Sequence, residues 1–224
     1  MKIVVLISAI AEWNAVKALF PDSKIRRFPF GECFDMVIQD EHISFFHSGW
    51  GKIASAGSMQ YVIDKYSPDL IVNLGTCGGF EDAVKLGDII LVDKTYVYDI
   101  VELMGDLDIV SYYASSLDLS WLAEPYPFPA QRGMIASADS DLPPGKLPFL
   151  KSLGAIAADW ESAALAWVAQ RNNARLLILR GVSDMVSEEG GEAYNNIEIF
   201  NERAKGIMEQ LIEQLPEWLN AVKL

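Results

Sequence analysis

The feature that most constrains this sequence is an alternation of short apolar runs, rich in β-branched residues, with helical patterns and turns. The runs have the length of buried strands. They span residues 3–8, 69–74, 87–97, 132–138 and 174–181. Residues 34–39 and 43–47 add an antiparallel pair around a polar turn. This alternation predicts one α/β sheet covered by helices.

The helices are predicted between and after these runs. A helical pattern over residues 9–20 follows the first run, and a second pattern covers residues 53–65. An amphipathic helix over residues 195–215 is predicted to end at Pro216. We expect this last helix to cover the sheet.

Length and charge limit the class of protein. The chain has 224 residues, of which 51% are hydrophobic and 22% are charged. This is enough for one large core, so a single domain over residues 1–224 is expected. The net charge is −13 and no Lys/Arg-rich run occurs, which argues against nucleic-acid phosphate as a partner. A neutral or cationic small substrate fits this charge, and so does solubility alone.

The first residues and the cysteines argue against membrane-spanning, disulfide-bonded and metal-binding classes of protein. The apolar run at the start is interrupted by Glu12, too early for a membrane span, and no small-residue cleavage pattern follows. The two cysteines, Cys33 and Cys77, and the two histidines show no metal-ligand spacing. We therefore expect a cytoplasmic protein with no membrane segment, no disulfide framework and no metal.

Two glycine-containing turns are predicted beside strands. Residues 75–79 (GTCGG) directly follow the run 69–74, and residues 48–52 lead into the helix 53–65. Such loops can present backbone N–H groups and a hydroxyl to a sugar or an anion. The first matches neither the dinucleotide nor the triphosphate glycine motif, so no nucleotide cofactor is expected.

Carboxylates accompany the apolar runs in the stretch 154–189. Asp159 and Glu161 open a helical pattern, and Asp184 follows a buried run. Ligands of open α/β sheets bind beyond the carboxyl ends of strands, so a pocket there would include all three. Helix capping is the alternative role; we favour it for Asp159 and favour a functional role for Glu161 and Asp184. Glu12, at the junction of the first strand and helix, fits both roles.

Three connecting segments carry expectations of their own. Residues 98–129 form a long connection rich in Asp, Tyr and Pro. Connections of this length commonly serve function, and a lid and a subunit contact are both open alternatives. The glycines at 190–191 predict a flexible joint, and residues 139–144 predict a turn.

Several segments occur in an order that resembles the nucleoside phosphorylase/nucleosidase superfamily. They are HSGWGK, VNLGTCGG, GDIILVDK, ASADSD, DWESAA and RGVSD, and their order covers nearly the whole chain. Within the superfamily the chain looks most like 5′-methylthioadenosine/S-adenosylhomocysteine nucleosidases. The resemblance implies a single-domain, three-layer αβα fold with a central mixed, twisted sheet. It also implies a homodimer or higher homo-oligomer that acts on a small-molecule nucleoside without a cofactor.

The resemblance implies roles for individual residues. Glu12 would orient and deprotonate the attacking water, Glu161 would bind the ribose 2′- and 3′-hydroxyls, and Asp184 would protonate N7 of the leaving purine. Thr76 would lie beside the base, and Arg180 would lie on the ribose side.

Four further residues are expected at the substrate from the same resemblance. Tyr194 falls near the aromatic that closes over the nucleoside. Trp50 stands near the sugar in place of a small aliphatic residue, and Trp160 replaces the usual Met beside the ribose Glu. Leu142 lies in a turn where the bacterial nucleosidases have an aromatic that stacks on adenine. The pocket is therefore expected to be reshaped around the base and the 5′ group.

The choice of nucleophile is inferred from Asn73. Purine nucleoside phosphorylases carry an arginine at this place to hold phosphate. A neutral asparagine cannot make the paired, charge-assisted hydrogen bonds that a guanidinium makes to phosphate. We therefore expect hydrolysis of the N-ribosidic bond of a purine nucleoside. A phosphorylase with another phosphate site and a non-catalytic nucleoside-binding module are the alternatives.

Overall fold

The computed structural model describes residues 1–105, 111–194 and 196–223 as a mixed sheet with helices on both faces. The strands are β1 (Ile3–Ile7), β2 (Arg26–Phe28), β3 (Gly31–Ile38), β4 (Glu41–His47), β5 (Leu70–Phe80), β6 (Ile89–Val97), β7 (Ser115–Ser116), β8 (Gln131–Ser137), β9 (Ala155–Asp159), β10 (Leu176–Ser187) and β11 (Gly190–Gly191). The helices are α1 (Ile10–Leu19), α2 (Gly51–Tyr66), α3 (Leu147–Ser152), α4 (Ser162–Arg171) and α5 (Ile197–Asn220). This confirms the α/β class expected from the alternation.

The sheet closes partly on itself. Its strand order is β11-β10-β6-β8-β9-β5-β1-β4-β3-β2, with β7 on β6. β5 runs parallel to β1 and β10. β9 pairs in the antiparallel direction with the C-terminal end of β5. Because β10 pairs with both β5 and β6, the strands β5, β10, β6, β8 and β9 form a closed ring. The alternation in sequence does not predict this ring, which depends on β5 and β10 being 11 and 12 residues long.

Helices cover both faces of the sheet. Trp13 of α1 and Trp218 of α5 are fully buried in the core on one face. Met59 of α2 and Leu165 of α4 belong to the core on the other face. Burying side chains of this size stabilises the fold by roughly 1.5–3 kcal/mol each. The two helical layers therefore fix the sheet from both sides, in the three-layer arrangement that we expected.

The glycine-rich residues 75–79 are not a loop. They continue β5 to Phe80, and the same residues pair with β9 and β10. A Cβ on Gly78 would lie 2.7 Å from a methyl of Val186, and one on Gly79 would lie 2.6 Å from a methyl of Val182. The glycines are needed because side chains of the neighbouring strand cross directly over this backbone.

Two other expectations about the chain after β10 are wrong. Pro216 lies inside α5 and does not end it, because Trp218 and Leu219 beyond it are buried and their packing offsets the hydrogen bond that proline lacks. The glycines at 190–191 form β11, which pairs with Val186 and Ser187. This segment is therefore tied to the sheet at the edge of the cavity described below.

The connection expected over residues 98–129 lies partly outside the described residues, at 106–110. In its described part, β7 pairs with β6, and Trp121 and Leu122 are buried in the core. Its role as a lid or a subunit contact stays a prediction. Among the described residues, no helix is both long enough and apolar enough to cross a membrane.

Candidate active site

A cavity of about 540 Å³ opens where β1, β5, β9 and β10 end or approach their ends. Its volume is in the range of small-molecule sites. Except for Arg180, every residue that we expected at the substrate lines it. These residues are Glu12, Trp50, Thr76, Leu142, Trp160, Glu161, Asp184 and Tyr194. Side chains far apart in sequence are thus brought together, and their individual roles stay predictions.

Glu12 is buried in the first turn of α1. Its Oε1 accepts hydrogen bonds from the backbone N–H of Thr76 at 2.6 Å and from the Thr76 hydroxyl at 2.8 Å. Its Oε2 accepts from the Ala9 N–H at 3.1 Å. Burial raises the pKa of Glu12, and the charge of Arg180 and these donors oppose the rise. The carboxylate is therefore fixed in orientation, and Oε2 retains capacity to accept a further hydrogen bond.

Asp184 lies within β10 rather than after it. The pairing of β10 with β5 shifts register between Val182 and Asp184, and such irregularities re-aim side chains. The Ser183 hydroxyl is 2.9 Å from Asp184 Oδ1 and donates to it. Burial raises the pKa of Asp184, and the Ser183 hydrogen bond opposes this. A carboxyl group of this kind keeps its proton to higher pH than an exposed aspartate, which suits a proton donor.

Glu161 occupies the N-cap position of α4. The helix therefore begins at Ser162, three residues after Asp159, where the sequence pattern placed its start and where β9 in fact ends. Its Oε1 accepts a hydrogen bond from the Gly51 N–H, at the start of α2, at 3.0 Å. Burial and the charge of the neighbouring Asp159 raise the pKa of Glu161. Hydroxyl donors from a bound sugar would favour its ionised form.

Asp159 is surrounded by donors. Its carboxylate accepts from Ser137 Oγ at 2.5 Å, from the Ser162 N–H at 3.2 Å and from Arg180 Nε at 2.8 Å. The Asp159 and Arg180 side chains are both almost fully buried. These contacts give Asp159 the structural role that we favoured, since they cap α4 and pair a buried charge.

Arg180 does not reach the cavity, contrary to the expected contact with ribose. The residue is 1% exposed, and its Nη2 donates to Asn73 Oδ1 at 2.5 Å. Its Nη1 lies only 2.2 Å from the position that a Cβ on Gly75 would take. Asn73 is also buried, and its Nδ2 donates to the Leu6 carbonyl at 2.9 Å. Arg180 therefore lies behind the cavity wall, because Asp159 and Asn73 hold its guanidinium there.

The sequence places this site in a family. Residues 4–215 match the sequence model of the family described as the phosphorylase superfamily. The chain belongs to the phosphorylase superfamily. The match spans β2 to β11, all of β1 except Ile3, and the first four helices, and it includes every residue expected at the substrate.

Named nucleosidases are similar to this chain over most of its length. The 5′-methylthioadenosine/S-adenosylhomocysteine nucleosidase of Staphylococcus aureus (strain MRSA252) is 26% identical over 199 residues, which is 80% of this chain and 83% of the relative. The crystal structure of the Streptococcus pneumoniae MTA/SAH nucleosidase in complex with 8-aminoadenine has a TM-score of 0.80 at 21% identity, covering 99% of this chain and 100% of that chain. The Neisseria meningitidis 5′-methylthioadenosine/S-adenosylhomocysteine nucleosidase in complex with methylthio-immucillin-A has a TM-score of 0.78 at 19% identity, covering 99% and 100%. These structural likenesses show the fold.

Sequence reasoning missed two aromatic residues of the cavity. Tyr98 directly follows β6, and Phe200 comes from the first turn of α5. The Tyr98 hydroxyl donates to the Ser140 carbonyl at 3.1 Å. The position of Tyr98 at a strand end is a signal that could have identified it. Phe200 carries no such signal, because it fits the apolar pattern of an amphipathic helix.

The charge of the cavity wall has one sign. The carboxylates that line it are Glu12, Asp141, Asp159, Glu161 and Asp184. No Lys, Arg or His is found among the described residues of its lining. Within residues 1–105, 111–194 and 196–223, no group of three or more His, Cys, Asp or Glu side chains could hold a metal ion. The wall is therefore suited to a neutral molecule or to one that becomes positively charged as it reacts.

Proposed function

We propose that this protein hydrolyses the N-ribosidic bond of a purine nucleoside and releases the free base and a ribosyl product. The observation that carries the proposal is the convergence of Glu12, Glu161 and Asp184 on one cavity from three separate elements. Cleavage of such a bond passes through a sugar with oxocarbenium character. It needs an acid on the leaving group and a base on water across the ring.

Asp184 is the proposed acid. Purine is a poor leaving group until N7 is protonated or hydrogen-bonded. The buried carboxyl, whose pKa is raised, can hold the required proton in the ground state and pass it to N7 as the bond breaks. General acid catalysis of this kind accelerates reactions by about 10²–10⁴-fold.

Glu12 is the proposed base. Thr76 and Ala9 fix its carboxylate, and Oε2 can accept a hydrogen bond from a water in the cavity. The raised pKa of Glu12 strengthens it as a base once it is ionised. Glu12 would take a proton from water as the oxygen attacks the anomeric carbon.

Glu161 is the proposed partner of the ribose hydroxyls. Its Oε1 is held by the Gly51 N–H, and Glu161 lines the same cavity as Glu12, Trp50 and Trp160. An ionised Glu161 would accept hydrogen bonds from the sugar and also offset the positive charge that develops on it.

Water is favoured over phosphate as the nucleophile because of the cavity's charge. A phosphate dianion requires cationic partners, yet the described lining contains carboxylates and no Lys, Arg or His. Asn73, at the place of the phosphate-binding arginine, is buried and uses both ends of its amide within the protein. A phosphorylase mechanism therefore lacks a supporting group in this cavity.

The proposed substrate is a nucleoside of the 5′-methylthioadenosine or S-adenosylhomocysteine class, and the named S. aureus relative supports this choice. Trp50 and Trp160 lie in the cavity wall with ring centroids 6.4 Å apart. Trp50 is 58% exposed, so this pair forms an apolar rim. Such a rim fits an apolar 5′ substituent. From the resemblance, we also propose a cytoplasmic role in methionine salvage.

A homodimer or larger assembly is part of the proposal. Exposed apolar side chains occur at the start of α2 and on the segment after β6, namely Trp50, Ile53, Val101, Leu103 and Met104. An ion pair between Lys52 and Asp99 connects these two segments. Exposed apolar clusters of this kind commonly form subunit contacts. Light scattering should give at least twice the mass of one chain, and a monomer at micromolar concentration would contradict this.

The deciding experiment is an assay for free base with and without inorganic phosphate. Methylthioadenosine, S-adenosylhomocysteine, adenosine, inosine and futalosine are each incubated with the protein. We expect release of base from the thioether nucleosides at a rate that phosphate does not change. Phosphate-dependent formation of ribose-1-phosphate would establish a phosphorylase. Tight binding without release of base would establish a binding module.

A further inference from the structure

A tyrosine hydroxyl and a backbone amide are hydrogen-bonded to each other in the wall of the cavity. The Leu142 N–H donates to the Tyr194 hydroxyl oxygen at 2.9 Å. Both residues line the cavity together with Asp184. The amide that the 140–142 turn could offer to a ligand is therefore already occupied by a side chain of the protein.

Tyr194 is also a neighbour of the proposed acid. A Cβ on Gly191 would lie 2.5 Å from Cε1 of the Tyr194 ring and 2.9 Å from Asp184 Oδ2. The ring edge and the carboxylate thus flank the same small space. A purine that presents N7 to Asp184 would therefore lie against the part of the wall that Asp184 and Tyr194 share.

The Tyr194 hydroxyl has a proton to give. A phenol donates one hydrogen bond and accepts others, and here it acts as acceptor for Leu142. Among the described residues, no acceptor for its proton is found. The Tyr98 hydroxyl differs, because its proton is used by the Ser140 carbonyl. Burial raises the pKa of Tyr194, which keeps this proton in place.

We propose that Tyr194 determines base specificity by donating a hydrogen bond to N1 of a 6-aminopurine, in place of the Leu142 amide. The assignment rests on the proposed nucleosidase function. Leu142 N–H, Tyr194 Oη and N1 form one chain of hydrogen bonds, in which the amide polarises the phenol and strengthens its donation to the base. A base with a C–H at this position leaves the phenol unpaired in a buried site, which is costly.

The test compares a 6-aminopurine nucleoside with its 1-deaza analogue, in which a C–H replaces N1, on the wild-type protein and on Tyr194→Phe. We expect the analogue to lower kcat/KM of the wild type by about 10- to 100-fold. In Tyr194→Phe, the ratio of kcat/KM for the nucleoside to kcat/KM for its 1-deaza analogue should fall below about threefold. The reason is that this variant lacks the hydroxyl that donates to N1. Tyr98→Phe is the matched control: it also loses a phenol hydroxyl bonded to the turn, and it should retain the wild-type ratio.

Two results would overturn the assignment. If the full 1-deaza ratio persists in Tyr194→Phe, the Leu142 amide or another group reads N1. If the wild type has the same kcat/KM for the nucleoside and its 1-deaza analogue, no group of the protein recognises N1. Calorimetric binding of adenine and 1-deazaadenine to the same three proteins gives the comparison without turnover. A failure of the tyrosine assignment is thereby distinguished from a failure of the nucleosidase proposal, which would appear as binding without release of base.

Discussion

Thr76 donates both its backbone N–H and its hydroxyl to one carboxylate oxygen of Glu12, at 2.6 and 2.8 Å. The pair joins the first turn of α1 to the middle of β5. This double donation favours the ionised form of the carboxylate and, with the charge of Arg180, opposes the rise in the pKa of Glu12 that burial causes. The contact therefore lowers the pH from which Glu12 can act as a base.

Removing the hydroxyl should raise the pKa of Glu12 further, because one of the donors that stabilise the carboxylate is lost. We expect Thr76→Val to shift the acidic limb of the kcat/KM profile to higher pH. Thr76→Ser retains the hydroxyl and should keep the wild-type limb. An unshifted limb in Thr76→Val would show that Glu12 is not the group whose ionisation limits the rate at low pH.

The proposed acid and base can be tested by isosteric amides. Asp184→Asn and Glu12→Gln should each lower kcat by about 10²–10⁴-fold and leave nucleoside binding largely intact. Glu188→Gln changes an exposed carboxylate just after β10 and should leave kcat unchanged. Near-normal turnover in Asp184→Asn would remove Asp184 from the mechanism.

Glu161 should make stability fall as pH rises. Its pKa in the folded protein is raised above the ordinary 4.5, so the folded state binds a proton that the unfolded state releases earlier. The stabilisation is complete below pH 4.5 and is lost as pH rises through the raised pKa. Urea unfolding across this range should show a steeper fall in the free energy of unfolding for the wild type than for Glu161→Gln. Parallel curves would contradict the raised pKa.

The buried ion pair should be sensitive to loss of one partner. Asp159→Ala leaves the Arg180 guanidinium buried with its main charge partner gone, and the free energy of unfolding should fall by roughly 3–5 kcal/mol. Adding Arg180→Met removes the uncompensated charge and should recover part of the loss. If the double variant is no more stable than Asp159→Ala, the unpaired charge is not the cause.

Two of the site's carboxylates could be predicted from the sequence for a physical reason. Acidic side chains beside apolar strand runs are expensive to bury, so Glu161 and Asp184 were expected at a pocket, and both line the cavity. Glu12 could not be separated from a helix cap by pattern alone, since its role depends on Thr76, which is 64 residues away. A contact between segments that are far apart in the chain leaves no pattern in the local sequence.

The wrong expectations have the same origin. Residues 75–79 have the composition of a loop, yet pairing with β9 and β10 makes them part of a strand. The crossing side chains of Val182 and Val186 explain the glycines at 78 and 79. Arg180 lies in the run 174–181 near a strand end, yet Asp159 and Asn73 hold its guanidinium behind the cavity wall. Tertiary packing decides these positions, whereas local propensity is a weak guide to them.

The closed ring of strands divides the cavity residues into two groups, which differ in how easily their backbone can adjust to substitutions. Thr76 and Asp184 are carried by β5 and β10, whose long mutual pairing allows little local adjustment without a change of register. Leu142 and Tyr194 lie outside that ring, on short connections at its rim. Libraries confined to residues 139–142 and 192–194 should therefore diversify the recognised base while the reacting groups keep their positions.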